Sequence, residues 1–309
     1  MTLICDFLSM GLHISVSDRL VTYGDTGGVF EDKFNKTILC FTEDSILVVS
    51  FTGQAHVGGL PFDSWIASQL VNAKIDSRAV NAFGVYSGPR NCRTLVSRIV
   101  RSLRSEFLVN NVEIRISGYI FVRGMALPYF LRIKKIGLLK NIIFGKMDTW
   151  SLCRKGGFFI SLSSGWAHVE RRIVRNAIVK LQSGPPEGVS FEQFSVDVMV
   201  NMLREFAQKH DSIGGELMVL KNSLRDQKVE ISYQNINGFS PISELNGLFS
   251  DIPATFIPWI ITLSSCHQPS ILRGGGFRAR VYGFLIEVIG PAFLEKGIFA
   301  WSEMPRRRP

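Results

Sequence analysis

The clearest chemical opportunity lies at the chain start. The sequence opens MTLICDF, so a threonine stands directly behind the initiator methionine. A hydroxyl is a weak nucleophile until a base takes its proton. An N-terminal threonine carries that base itself, because a free α-amine titrates at about 7.7–8.0 and accepts a proton near neutral pH. Thr2 therefore has two readings. It is a small second residue of the kind that permits methionine removal, or it is a nucleophile that such removal uncovers. The second reading requires the removal, since an amide nitrogen inside a chain is no base.

Other residue types offer less. The five cysteines (Cys5, Cys40, Cys92, Cys153 and Cys266) are odd in number and form no C-x-x-C pair, so they read as reduced, mostly buried thiols. The five histidines (His13, His56, His168, His210 and His267) lack metal-ligand spacing. No metal and no other cofactor is expected. Gly274, Gly275 and Gly276 are without the strand–helix context and downstream Lys-Ser/Thr of a phosphate loop and read as a turn.

The elements that must position Thr2 follow from patterning. TLICDF and LHISVSDRLVT, joined at Ser9-Met10-Gly11, read as a β-hairpin rich in apolar and β-branched residues. ILCF and ILVVSFTG, joined by Thr42–Ser45, read as a second hairpin. Helical stripes follow at 62–73, with Trp65, Ile66, Leu70 and Val71 together, and at 93–108, with Leu95, Ile99, Val100, Leu103 and Leu108 inward. Strands are expected at 112–124, 129–137 and 157–164, helices at 167–181 and 190–208, and strands at ELMVL and KVEISYQ. Blocks of strands and helices, rather than strict alternation, argue for an α+β fold. Two antiparallel sheets between two helix pairs would bury both, a four-layer αββα sandwich over residues 1–235. Residues 236–309, which include Pro253, Pro258, Pro269 and Pro291 and the triple glycine, read as a β-rich C-terminal extension, a hairpin packed on the main body or on a neighbouring subunit.

Composition bounds the rest. At 309 residues, 46% apolar and 20% charged, the chain matches an ordinary globular protein. Apolar runs such as FIPWIITL fall short of the ~20 residues of a membrane helix. The start lacks a basic n-region and an A-x-A-like cleavage site, so a cytoplasmic protein is expected. The net charge of +9 comes from arginines and lysines spread over solvated faces. They lack the interleaved aromatics of a single-strand platform, so nucleic acid is not the expected partner.

The order of these features resembles the proteasome β-subunit family, including the peptidase subunit of the bacterial two-component heat-shock protease, which are N-terminal-nucleophile threonine hydrolases. The resemblance runs from residue 2 to about 235. It implies that Thr2 is the nucleophile and that Asp18, sixteen residues on in SVSDRLVT, is the motif aspartate. Thr22 then corresponds to the threonine whose backbone pairs with substrate. Lys36, in FNKTILCF, corresponds to the lysine that lowers the pKa of the threonine hydroxyl and amine, with Lys33 as its competitor. Gly53, in SFTGQAH, presents the oxyanion N–H, and Ser164 in LSSGWAH supports the terminal amine, with Ser163 as a rival. The family pattern D-x-x-S-G-G meets His210-Asp211-Ser212-Ile213-Gly214-Gly215, where the glycines fit while Asp211 and Ser212 are out of register.

What this implies is a peptidase or amidase that works through an acyl-enzyme on peptide or protein substrates. It also implies assembly as a homo-oligomer, ring or dimer, with an unfoldase as an eventual partner. Two other expectations compete: a catalytically silent proteasome-like assembly subunit, and a basic RNA-binding protein with steeply salt-dependent affinity.

Overall fold

The computed structural model describes residues 2–22, 29–31, 34, 36–42, 44–57, 60–71, 91–104, 112–136, 141–163, 170–226, 228–235, 238–239, 259–265, 277–282, 286–288 and 299–300. The chain divides into two compact units. Met1–Phe34, Leu152–Ser250 and Leu294–Trp301 form the first; Asn35–Ser151, Asp251–Phe293 and Ser302–Pro309 form the second.

The first unit is built on β1 (Ile4–Leu8) and β2 (Leu12–Asp18), an antiparallel hairpin as its sequence predicts. Its seven-stranded sheet runs β12 (Phe159–Leu162), β1, β2, β13 (Glu216–Ser223), β14 (Lys228–Asn235) and β15 (Gly238–Phe239), with β19 (Phe299–Ala300) also beside β14. A small ribbon of β3 (Val21–Thr22) and β4 (Val29–Glu31) follows β2. Side chains alternate across each strand, so Cys5, Phe7, Ile14, Val16, Leu217 and Val219 share one face. They pack in one core with Ile173, Ala177 and Leu181 of α4 (Arg171–Ser183) and with Met199, Leu203 and Phe206 of α5 (Phe191–Lys209). The i, i+3/i+4 spacing of those helix residues is what makes the stripe. Ser190 caps α5 by accepting the Gln193 N–H at 3.1 Å.

The opposite face of this sheet, with Asp6, His13, Ser15, Ser17 and Asn222, is buried as well. Burial on both faces explains why these strands show little polar alternation.

The second unit holds an eight-stranded antiparallel sheet. Its order is β11 (Asn141–Lys146), β10 (Met125–Ile136), β9 (Glu113–Val122), β6 (Ser45–Thr52), β5 (Thr37–Thr42), β16 (Trp259–Ser265), β17 (Phe277–Tyr282) and β18 (Ile286–Val288). After β6 the chain makes the two short strands β7 (His56–Val57) and β8 (Leu60–Pro61), then α1 (Phe62–Val71) and α2 (Cys92–Ser102). Phe62 anchors α1, edge-on to Phe51 of β6 and stacked on Trp65. Asn91 caps α2 by accepting the Thr94 N–H, and the Cys92 N–H reaches the Asp44 carboxylate at 2.8 Å. A short α3 (Thr149–Cys153) lies where the chain passes from the second unit to the first.

The expected four-layer αββα sandwich is corrected by this arrangement. The fold is β-rich, two large antiparallel sheets with five helices among the described residues. Two stretches account for the difference. Residues 125–146, read as one strand and a loop, form the twelve-residue β10 and the added edge strand β11. Residues 259–288, read as part of an extension, carry strands that continue the second unit's sheet beyond β5. Backbone pairing to the β5 edge is what adds these strands to the sheet. None of the helices is long and apolar enough to cross a membrane among the described residues.

Candidate functional site

Thr2 leads into β1 and is partly exposed. Two side chains fix the backbone around it. The antiparallel register that pairs Ile4 with Ser17 sets Asp18 beside Leu3. The Leu3 N–H donates to Asp18 Oδ1 at 2.7 Å, and the Asp18 N–H returns a bond to the Leu3 carbonyl at 3.0 Å. The Gly214 N–H donates to Asp18 Oδ2 at 3.4 Å. Asp18 is fully buried, so its carboxylate depends on these backbone donors in place of water.

Ser163 holds the other side. It follows β12, which pairs antiparallel with β1, and its N–H donates to the Ile4 carbonyl at 2.8 Å. Its hydroxyl donates to the Thr2 carbonyl at 2.9 Å and accepts the Ile4 N–H at 3.0 Å. One hydroxyl thus saturates a donor and an acceptor of β1's entry. Thr2, Leu3 and Ile4 are clamped from both flanking strands.

Around this clamp lies an ion pair that sequence reading missed. Arg19 Nη1 donates to Glu216 Oε2 at 2.7 Å, joining the end of β2 to the start of β13. The Arg19 N–H also donates to the Glu216 carbonyl at 3.1 Å. No local signal connects residues 197 apart in sequence; only the β2–β13 register does. Gly214 is required where it stands, because a Cβ there would come within 2.6 Å of the Leu20 Cβ.

The expected site residues distribute as follows. Thr2, Asp18 and Ser163 meet in the first unit. Ser164 and Lys33 lie outside the described residues. Thr22 stands in β3 with its backbone paired to Val29. Asp211 and Ser212 form the turn after α5, with Asp211 exposed, and this loop reaches Asp18 through the Gly214 N–H. Lys36 and Gly53 belong to the second unit. Lys36 is buried just before β5, its carbonyl accepting the Phe51 N–H at 3.1 Å. Gly53 follows β6 with φ of 100°, a conformation that glycine adopts without penalty. Among the described residues no group of three His, Cys, Asp or Glu could hold a metal ion.

At the far end of β1, about 17 Å away at 3.4 Å per residue, the first unit has a second polar cluster. A cavity of about 560 Å³ is lined by Ser9, Leu12, Phe191, Glu192, Arg225 and Asp226, among others. The Ser223 hydroxyl donates to Glu192 Oε1 at 2.6 Å, and Lys221 Nζ stands 2.5 Å from Glu230 and 4.0 Å from Glu192. Burial raises the Glu192 carboxyl above its usual 4.5, and hydrogen bonding and charge from the neighbouring Asp226 carboxylate push the same way.

No family model and no curated protein matches the chain. Solved structures align with it at low identity. Anbu (ancestral beta-subunit) from Yersinia bercovieri is 16% identical, covering 71% of this chain and 80% of its own, with a TM-score of 0.42. Anbu from Hyphomicrobium sp. strain MC1 is 14% identical over 72% and 82%, with a TM-score of 0.43. A Gly-1 mutant of Anbu from the same strain is 13% identical over the same shares, at 0.44. The membership expected above, in the family of proteasome β-subunits and the heat-shock protease peptidase, is corrected by this result. The aligned structures are Anbu chains, and their overlap is too slight to carry an activity to this one.

Proposed function

We propose that the protein is a threonine-type peptidase or amidase in which Thr2, freed by removal of Met1, is the nucleophile. The observation that carries this reading is the clamp on Thr2–Ile4 by Ser163 and Asp18. A nucleophile at a chain end has no residue before it to restrain it, so its neighbours must do so, and here two buried side chains are committed to that task.

The chemistry balances with this residue alone as nucleophile and base. The Thr2 α-amine takes the hydroxyl proton as Oγ attacks a carbonyl carbon. The tetrahedral intermediate collapses, the C–N bond of the substrate breaks, and the ammonium returns its proton to the leaving amine. Water then attacks the Thr2 ester with the amine again acting as base, releasing the acid. Ser163 and Asp18 touch the Thr2–Ile4 backbone and act as positioning residues.

The test combines intact-mass measurement with epoxyketone labelling. The reading expects loss of Met1 and a single adduct on Thr2, absent in Thr2→Ala and retained in Thr2→Ser. A retained Met1 removes the proposal and favours the silent assembly subunit, and labelling that survives in Thr2→Ala removes it by showing that another residue is the nucleophile.

A further inference from the structure

β11 forms the outer edge of the second unit's sheet. Asn141–Lys146 pairs with β10 in six unbroken antiparallel steps, and its other side has no strand partner among the described residues. Exposed edges of this kind are normally blunted by proline, a bulge or a central charge. β11, reading NIIFGK, has none of these before its last residue. Instead it presents large apolar side chains to water on both faces, with Ile143 54% and Phe144 52% exposed. A row of unpaired backbone groups flanked by apolar side chains is a template for another extended chain.

Charge selects which chain. In residues 113–148 the acidic residues are Glu113, which is buried, and Asp148. Against them stand the exposed Arg123, Arg132 and Lys146 and the partly exposed Lys134. Arg132 and Lys134 lie opposite Gly145 and Ile143 in the ladder, on one face of the sheet. With no side chain at Gly145, the Arg132 side chain lies along β11, its Nε 3.5 Å from where a Cβ would sit. The other face of β11 carries Phe144 and, at its end, Lys146.

We propose that this edge docks an extended acidic peptide segment by strand addition. The peptide backbone pairs with β11. Carboxylates at alternate positions face Arg132 and Lys134, and the intervening apolar side chains cover Phe144. A second copy of this chain is the poorer occupant, because it would set the same arginine and lysines against themselves.

The probe is a fluorescein-labelled eight-residue peptide of alternating glutamate and valine, titrated against the full chain by anisotropy. Binding is expected to weaken with added salt. It is also expected to weaken by about tenfold or more in Phe144→Glu and, separately, in Arg132→Glu, both at exposed positions, with unchanged circular dichroism. A peptide with alternate backbone amides N-methylated is expected to lose binding to the same degree. Absence of binding, equal binding of the lysine–valine peptide, or equal binding of the N-methylated peptide overturns the proposal. So does a wild-type dimer in light scattering that Phe144→Glu converts to monomer, since the edge would then belong to a second copy.

Discussion

The Ser163 hydroxyl spans the entry of β1, giving its proton to the Thr2 carbonyl at 2.9 Å while receiving the Ile4 N–H at 3.0 Å. Ser163 is almost completely buried, so water is not at hand to replace either bond. Ser163→Ala leaves the Ile4 N–H without its side-chain acceptor and is expected to cost about 1–3 kcal/mol in urea unfolding. A merely structural serine would change stability alone. A positioning role adds a fall in epoxyketone labelling of roughly 10²-fold, with Ser163→Thr recovering part of it. Labelling unchanged in a folded Ser163→Ala protein would separate this serine from the chemistry.

Asp18 tests the other half of the clamp. Asp18→Ala strips the Leu3 and Gly214 N–H groups of their acceptor in a dry site, and a loss of about 2–3 kcal/mol is expected. Asp18→Asn keeps one acceptor oxygen for Leu3 and should be milder. If both variants unfold at the wild-type urea midpoint, the buried carboxylate contributes nothing to the fold.

Glu192 supplies a pH dependence whose sign is opposite to that of a salt-bridged acid. Its carboxyl is raised above 4.5, chiefly by burial and then by Asp226, so the folded state binds this proton more tightly than the unfolded state does. That contribution is fully present below the unfolded value near 4.5 and is lost as pH rises through the raised folded value. Glu192→Gln keeps an acceptor for Ser223 and removes the charge. Its stability relative to wild type is expected to improve as pH climbs from the acid range to neutral. A difference independent of pH refutes the coupling.

Gly118, in the middle of β9, adopts φ of 138°, and a Cβ there would stand 2.3 Å from the Ile46 carbonyl oxygen. Gly118→Ala combines that clash with a conformation closed to alanine and is expected to cost more than about 3 kcal/mol. A thermal melt within a degree or two of wild type would contradict the geometry.

The thiols of Cys40, Cys92 and Cys153 are all pushed up by burial, Cys92 and Cys153 to about 11. The Asp44 carboxylate adds to the effect at Cys92. Thiolate is the reactive form, so at pH 8 these three are expected to stay silent to a disulfide reagent in the native protein and to react once it is unfolded. Rapid native modification of any of them would show a more open structure than this one.

Much of the local structure was legible because it depends on near neighbours. The β1–β2 hairpin follows from apolar strands around Ser9-Met10-Gly11, and α5 follows from apolar residues at helical spacing. Thr2 was legible as a candidate because its chemistry resides in one residue. The partners of the Thr2 carbonyl and the Ile4 N–H were not, since they depend on the β1–β12 register, which sequence leaves open by one residue. The Arg19–Glu216 pair was equally hidden, and so were the edge strand at 141–146 and the sheet that residues 259–288 would join, because both depend on pairing with strands laid down elsewhere. Periodicity is a property of a segment, whereas register and edge pairing are properties of two segments meeting. The sequence by itself therefore determined the β1–β2 hairpin, the helical stripes of α4 and α5, and which residue could be put forward as a nucleophile. Only the tertiary structure decided which distant donors and acceptors surround that residue, because a hydrogen bond between remote strands leaves no trace in either strand alone.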